Sequence, residues 1–184
     1  REFMEQTFKN DSKYADMKKR IGTANTDWQD EIYQTAFAMD HNVSVYGSVG
    51  KAMPYRASVG YTNEEGILKT SKMERVTGNF VLSPSFFDDH LKVTVNGKGM
   101  FSKTRFADDG AIGAAVSFDP TQPVYNGSPW GGFTTWTDSN GVPASIAGKN
   151  PVAMLKMKNN KAYVHNFLGN VQADYKLHFF PDLR

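Results

Sequence analysis

The 184-residue sequence predicts an all-β, antiparallel fold in which one face of each strand is dry and the other wet. Three observations lead there. From His41 onward apolar and polar residues alternate with a period of two wherever the chain is not an obvious loop. The alternating runs are longer than the five or six residues of a usual strand. The composition, 13% aromatic with 16 glycines and a mean hydropathy of −0.50, is that of polar-and-aromatic β-structure. With no cysteine, the chain excludes disulfide staples, cysteine–zinc sites and thiol nucleophiles. No apolar run reaches the roughly 18–20 residues of a membrane-spanning helix, and a formal charge of +2 is no general nucleic-acid footprint.

Residues 2–20 place Phe3, Met4, Phe8, Tyr14 and Met17 among many charges, a loose fit to one helical face. Asn25-Thr26-Asp27-Trp28 offers capping side chains before Gln29–Tyr33, which reads equally as a short helix or an irregular, plug-like stretch. Residues 1–40 are therefore expected to be a helical and irregular extracellular loop region preceding the strands.

The first run alternates Val43, Val45, Gly47 and Val49 with Ser44, Tyr46 and Ser48, and Lys51–Pro54 turns the chain. The second sets Tyr55, Ala57, Val59 and Tyr61 against Arg56, Ser58, Gly60 and Thr62, up to the break at residues 63–66. Val76, Gly78, Phe80 and Leu82 oppose Thr77, Asn79 and Ser83 in the third, and residues 84–90 turn again. In the fourth, Leu91, Val93, Val95, Gly97, Gly99 and Phe101 oppose Lys92, Thr94, Asn96, Lys98 and Ser102. The fifth, Ala162 to His178, sets Tyr163, Phe167, Gly169, Val171, Ala173, Tyr175 and Leu177 against Asn166, Asn170, Gln172, Asp174 and Lys176. At about 3.3 Å per residue it would extend roughly 55 Å.

A face bearing Lys92, Asn96, Lys98, Asp174 and Lys176 cannot enter an oily core without a large desolvation cost, so it wants water. The dry face needs a cover, and no other segment is apolar enough to supply one. Either it packs on a hydrophobic core in a soluble sheet, or it faces acyl chains in an outer-membrane barrel with a wet lumen. The connections sort as a barrel's do, short at 51–54 and 84–89, medium at 63–72 and very long from 104 to 161. Residues 41–184 are then a partial transmembrane β-barrel of about five long strands, open as a fragment, with the extracellular loop at 104–161. Both sheet edges would lack partners, and the isolated chain would aggregate or need detergent. Tyr55, Tyr61, Phe80, Phe101, Tyr163, Tyr175 and Phe179 would form its aromatic girdles.

The ordered series Trp28-Gln-Asp-Glu-Ile-Tyr33, Asn42-Val-Ser-Val45, Pro54-Tyr-Arg-Ala-Ser-Val-Gly-Tyr61, Gly66-Ile-Leu-Lys-Thr70 and Leu82-Ser-Pro-Ser-Phe-Phe-Asp-Asp-His-Leu-Lys92 resembles the SusC/RagA family of TonB-dependent outer-membrane transporters. Asp119–Tyr125, Asn150-Pro151 and Phe179-Phe180-Pro181-Asp182-Leu183 continue it in the same order. The resemblance covers nearly the whole chain. It implies the early strands of a barrel of about 22 strands, following a plug domain, in the outer membrane of Bacteroidetes-type bacteria. Such proteins import glycans or peptides beneath a lid-forming SusD-like surface lipoprotein and are powered by the TonB complex. The resemblance thus implies no catalysis, no cofactor and no nucleic-acid partner, with membrane lipid around the strands. A chain from Arg1 to Arg184 without an initiator Met or signal peptide is expected to be a segment of a longer protein, one that alone would not transport.

Catalytic and metal motifs are weak. Gly47-Ser-Val-Gly-Lys51 would be a phosphate loop only with a glycine where Val45 stands and Ser or Thr where Ala52 stands, so it reads as a hairpin turn. Asp88-Asp89-His90 and Asp108-Asp109-Gly110 read as turns rather than metal sites. His41, His90, His165 and His178 have no recognisable nucleophile nearby. The long loop is different, since connections beyond about 12–15 residues are usually functional. Its Tyr125, Trp130, Trp136 and Asp138 are the candidate substrate-binding residues, rings that stack and a carboxylate that hydrogen-bonds a sugar or peptide. The competing reading packs its aromatics against the loop itself, the barrel wall or the lipoprotein partner. Lys92, Lys98, Asp174 and Lys176 are the candidate lumen-facing residues. The rival functions are a soluble carbohydrate- or protein-binding β-domain and, more remotely, a secreted hydrolase.

Overall fold

A computed structural model describes residues 2–50, 52–177 and 179. In chain order the elements are α1 (Glu2–Phe8), α2 (Tyr14–Arg20), α3 (Trp28–Ile32), β1 (Ala38–Val49), β2 (Met53–Glu65), β3 (Lys72–Leu82), β4 (Ser85–Phe86), β5 (Leu91–Phe106), α4 (Gly110–Ser117), β6 (Tyr125–Ser128), β7 (Gly132–Phe133), α5 (Pro151–Met157) and β8 (Asn160–Tyr175). They fall into two compact units. A sheet unit takes residues 36–66, 71–106 and the chain from 160 onward, and a helical unit takes residues 1–35, 67–70 and 107–159.

The sheet runs β1-β2-β3-β5-β8, every neighbour antiparallel, and two-residue β4 pairs β5 at Leu91 and Lys92. Its register aligns Val43, Val59, Gly78, Gly99 and Phe167 in one cross-strand row. Directly opposed residues in an antiparallel pair point to the same face, so this row and its alternates assign every strand residue to one side. One side carries Val43, Val45, Val49, Tyr55, Val59, Val76, Phe80, Phe101, Tyr163, Phe167, Val171 and Tyr175, all exposed. The other carries Asn42, Ser44, Arg56, Ser58, Thr62, Arg75, Asn79, Lys98, Asn170 and Asp174, with Tyr46, Met73, Val81, Met100, Phe106, Val164 and Leu168 as the large apolar or aromatic exceptions. The alternation read from the sequence therefore sorts wet from dry as expected.

Strand bounds differ from expectation at the ends. β1 starts three residues before His41 and β5 continues to Phe106. β8 begins at Asn160 and leaves the ladder after Tyr175, while Lys176 still donates its amide to the His90 carbonyl at 2.7 Å. His178 and Phe180–Leu183 lie outside the described residues. Among the described residues β1 and β8 each pair on one side only, so the sheet is open.

Short connections lie at one end. The connection from β1 to β2 holds Gly50 at φ +65°, and the 83–90 connection turns through Phe87, Asp88 and Asp89, all at positive φ. The Asp-Asp-His stretch is thus turn backbone. The connections leaving the opposite row, where Glu65, Lys72, Arg105 and Lys161 align, are residues 66–71 and the 107–159 excursion.

The helical unit holds the buried hydrophobic residues: Trp28, Ile32, Leu68, Ala111, Ala115, Phe118, Phe133, Val152 and Leu155. All three chain segments contribute. Asp27 caps α3, its Oδ1 accepting from the Gln29 and Asp30 amides. Trp28 stands edge-on to Phe118 at 4.9 Å and donates Nε1–H to the Asp119 carbonyl at 3.0 Å. Ala24 and Thr26 donate their amides to the Thr121 and Pro120 carbonyls, and Lys69 donates its amide to the Ile32 carbonyl. The helix expected over residues 2–20 is two helices broken around Asp11, and the ambiguous stretch after Asp27 is α3. Within the long connection, Gly110–Ser117 forms α4, with Ala111 and Ala115 buried.

Candidate functional site

Two surfaces carry the candidate residues, one in each unit. In the helical unit, Asn150 organises the 125–157 region. Its Oδ1 accepts from the Val152 and Ala153 amides and caps α5. Its Nδ2 donates to the Val124 and Thr134 carbonyls. One buried side chain thereby ties the helix start to the β6–β7 region, and Pro151 at the first helical position needs no amide partner.

Alongside α5 lies a largely apolar cleft of about 460 Å³, lined by Trp130, Trp136, Pro143, Ala144, Met154 and Met157 among others. Asp108 and Lys158 also line it and form an ion pair of 3.4 Å. Trp130 is 41% exposed, whereas Trp136 packs its other side against Phe118 at 6.3 Å. The structure thus brings two of the four candidate loop residues together. Tyr125 is held elsewhere, its ring against Phe133 at 4.9 Å and its hydroxyl accepting from Lys156 Nζ at 2.7 Å. Asp138 spends one carboxylate oxygen on its own turn, accepting from the Asn140 and Val142 amides. Phe118 and Phe133 are core, so part of the aromatic content does pack the loop against itself.

Sequence reasoning missed Met154, Met157 and the Asp108–Lys158 pair. The signal for the methionines was available: Asn150-Pro151 is an N-cap followed by proline at the first helical position, which starts a helix and puts residues three apart on one side.

In the sheet unit, Lys92 and Asp174 are register partners on the wet face, and Gln172 Nε2 donates to both Asp174 oxygens at 3.4 and 3.1 Å. Lys98 lines a shallow depression of about 400 Å³ with Thr77, Asn79, Met100, Asn166 and Leu168. Lys176 follows the end of β8 rather than continuing its row. Toward the other end of this face, Thr62 is buried, donates to Asp40 Oδ2 at 2.6 Å and accepts from Arg75 at 3.4 Å. That three-residue chain is a polar contact set suited to a wet wall.

No family model matches the chain. It is 48% identical over 180 residues to the TonB-dependent receptor SusC of Bacteroides thetaiotaomicron, an alignment covering 89% of this chain and 18% of that protein. The chain belongs to the SusC-type TonB-dependent receptors. A second relative, the TonB-dependent receptor P26 of Formosa agariphila, is 30% identical over 158 residues, covering 82% of this chain and 14% of the relative. The chain thus spans less than a fifth of the length of the curated relatives it matches. For this SusC-type segment, an open antiparallel sheet with one dry face is a portion of a barrel wall. No helix among its described residues is long and apolar enough to cross a membrane, which leaves strands free to do so.

Proposed function

We propose that the chain forms early wall strands of an outer-membrane nutrient importer, taking up a glycan or peptide with energy delivered through TonB and with a SusD-like surface lipoprotein as partner. In this reading the strands from about residue 41 onward sit in the bacterial outer membrane, and the 1–40 region and the 104–161 excursion are extracellular. Lys92, Lys98, Asp174 and Lys176 border the lumen, and the chain has no catalytic role. One observation carries the proposal: twelve large hydrophobic side chains on one sheet face are exposed, while the buried hydrophobic residues all belong to the helical unit. Acyl chains cover such a face, and the wet face then lines a channel.

The test is the chain's behaviour with and without detergent, read by circular dichroism and light scattering. A β-rich species that is monodisperse only in detergent is expected. A monodisperse, cooperatively melting monomer in plain buffer would sink the proposal and favour the soluble binding domain.

Cargo contact is assigned to the excursion, with Trp130 and Trp136 as stacking rings in the cleft and Tyr125 and Asp138 at separate points of the same surface. Trp130→Ala in the parent receptor is expected to weaken half-saturation of uptake about ten-fold, the effect of removing an aromatic anchor worth roughly 1–2 kcal/mol. Unchanged uptake would show that the cleft takes no part in cargo binding.

A further inference from the structure

We infer that the dry face of the sheet carries, at its long-connection end, a binding site for the anionic headgroup of a membrane lipid; the inference rests on the membrane-embedded reading proposed above. On that face a slot of about 320 Å³ is lined by Tyr61, Val76, Phe101 and Tyr163 together with Glu74 and Lys103. The ring of His165, also lining the slot, meets Phe101 edge-on at 5.2 Å. The slot therefore spans the border at which the apolar band gives way to charge.

Beyond that border the register stacks two charged rungs on the same face. Glu74 opposes Lys103, and in the next rung Lys72 lies between Glu65 and Arg105, with Lys161 following on β8. Four cations face two carboxylates, a net charge of +2 by residue type. Glu74 sits 3.2 Å from Lys72 and 3.9 Å from Lys103, so a single carboxylate is shared by two ammonium groups. Lys72, Arg105 and Lys161 stand on adjacent strands about 4.8 Å apart, a span of roughly 10 Å that matches one headgroup. Further down the same face, from the Tyr61 row to the short-turn end, the strand residues include no Asp, Glu, Lys or Arg.

Charge complementarity selects the occupant. Long cationic side chains lay their stems on apolar surface and extend the charge to the interface, and a net positive rung favours a headgroup with net negative charge over a zwitterionic one. A soluble anion would satisfy the rungs but leave the apolar slot beneath them unfilled, whereas a lipid supplies both parts.

The test uses the parent receptor in nanodiscs of phosphatidylcholine with a minor fraction of phosphatidylglycerol, and native mass spectrometry to count the lipids retained. Phosphatidylglycerol is expected to be retained in preference to phosphatidylcholine. Lys103→Gln combined with Lys161→Gln should lower that preference roughly ten-fold or more, since each cation near an anionic surface contributes about five-fold. Lys103→Arg with Lys161→Arg should restore it, and Arg56→Gln on the wet face should leave it unchanged. Equal retention of the two lipids by the parent, or a preference that survives the double glutamine variant, overturns the inference while leaving the barrel reading intact. A parent receptor that does not enter the bilayer at all overturns both.

Discussion

Val59→Arg is expected to destabilise the membrane-inserted parent receptor by about 2–4 kcal/mol, while Ser58→Arg, one residue away, should change stability by no more than about 0.5 kcal/mol. Val59 is 61% exposed and lies in the row Val43–Val59–Gly78–Gly99–Phe167 of the dry face. A guanidinium there must leave water for hydrocarbon or drag water and headgroups inward. Ser58 is on the opposite face beside Ser44 and Asn79, where an added cation remains hydrated. Denaturant unfolding of both variants in detergent micelles, followed by loss of β-sheet dichroism, measures the difference. In a soluble sheet with the same exposure neither substitution would matter, so two equal midpoints would remove lipid as the cover of that face.

Trp28→Ala should loosen the helical unit by about 3–5 kcal/mol, the cost of emptying a large buried aromatic site. The side chain is 3% exposed; its loss removes the edge contact to Phe118 and leaves the Asp119 carbonyl without its indole donor. Trp28→Phe keeps most of the ring volume and should cost only about 1 kcal/mol beyond the lost methine and pyrrole contacts, the net worth of one hydrogen bond. Limited proteolysis of the parent receptor is the readout, with cuts expected within residues 107–159 for the alanine variant and far fewer for the phenylalanine one. Identical cleavage in both would mean that Trp28 does not anchor the excursion.

The sheet was legible because its information is local. A period of two over residues 42–50 or 91–102 fixes which side chains share a face before any pairing is known, and pairing then follows chain order for β1, β2 and β3. The helical unit was illegible for the opposite reason. Thr26 donating its hydroxyl to the Gln122 carbonyl, or Leu68 packed into a core with Leu155, joins residues tens of positions apart with no periodic trace between them. The cleft suffered twice, because its lining comes from Asp108, from Trp130 to Asn150 and from α5, and because α5 announced itself only through the Asn150-Pro151 pair. Tyr125 and Trp130 looked alike as loop aromatics, and the Phe133 and Lys156 contacts that hold Tyr125 away from the cleft separate them.

Phe106 and Asn160 are opposite partners at the last rung between β5 and β8, although residues 107–159 intervene. For a flexible connection of that length, bringing the two ends together would cost roughly 3–4 kcal/mol of chain entropy before the first rung formed. An excursion packed into a core that it shares with Trp28, Ile32 and Leu68 offsets much of that cost through its own packing. The β5–β8 ladder can then close as a hairpin does, from the connected end outward. The order of pairing follows: β1, β2 and β3 can zip as consecutive hairpins without any later segment, whereas β8 waits for α5, since Leu155 and Val152 complete a core begun by Trp28 more than a hundred residues earlier.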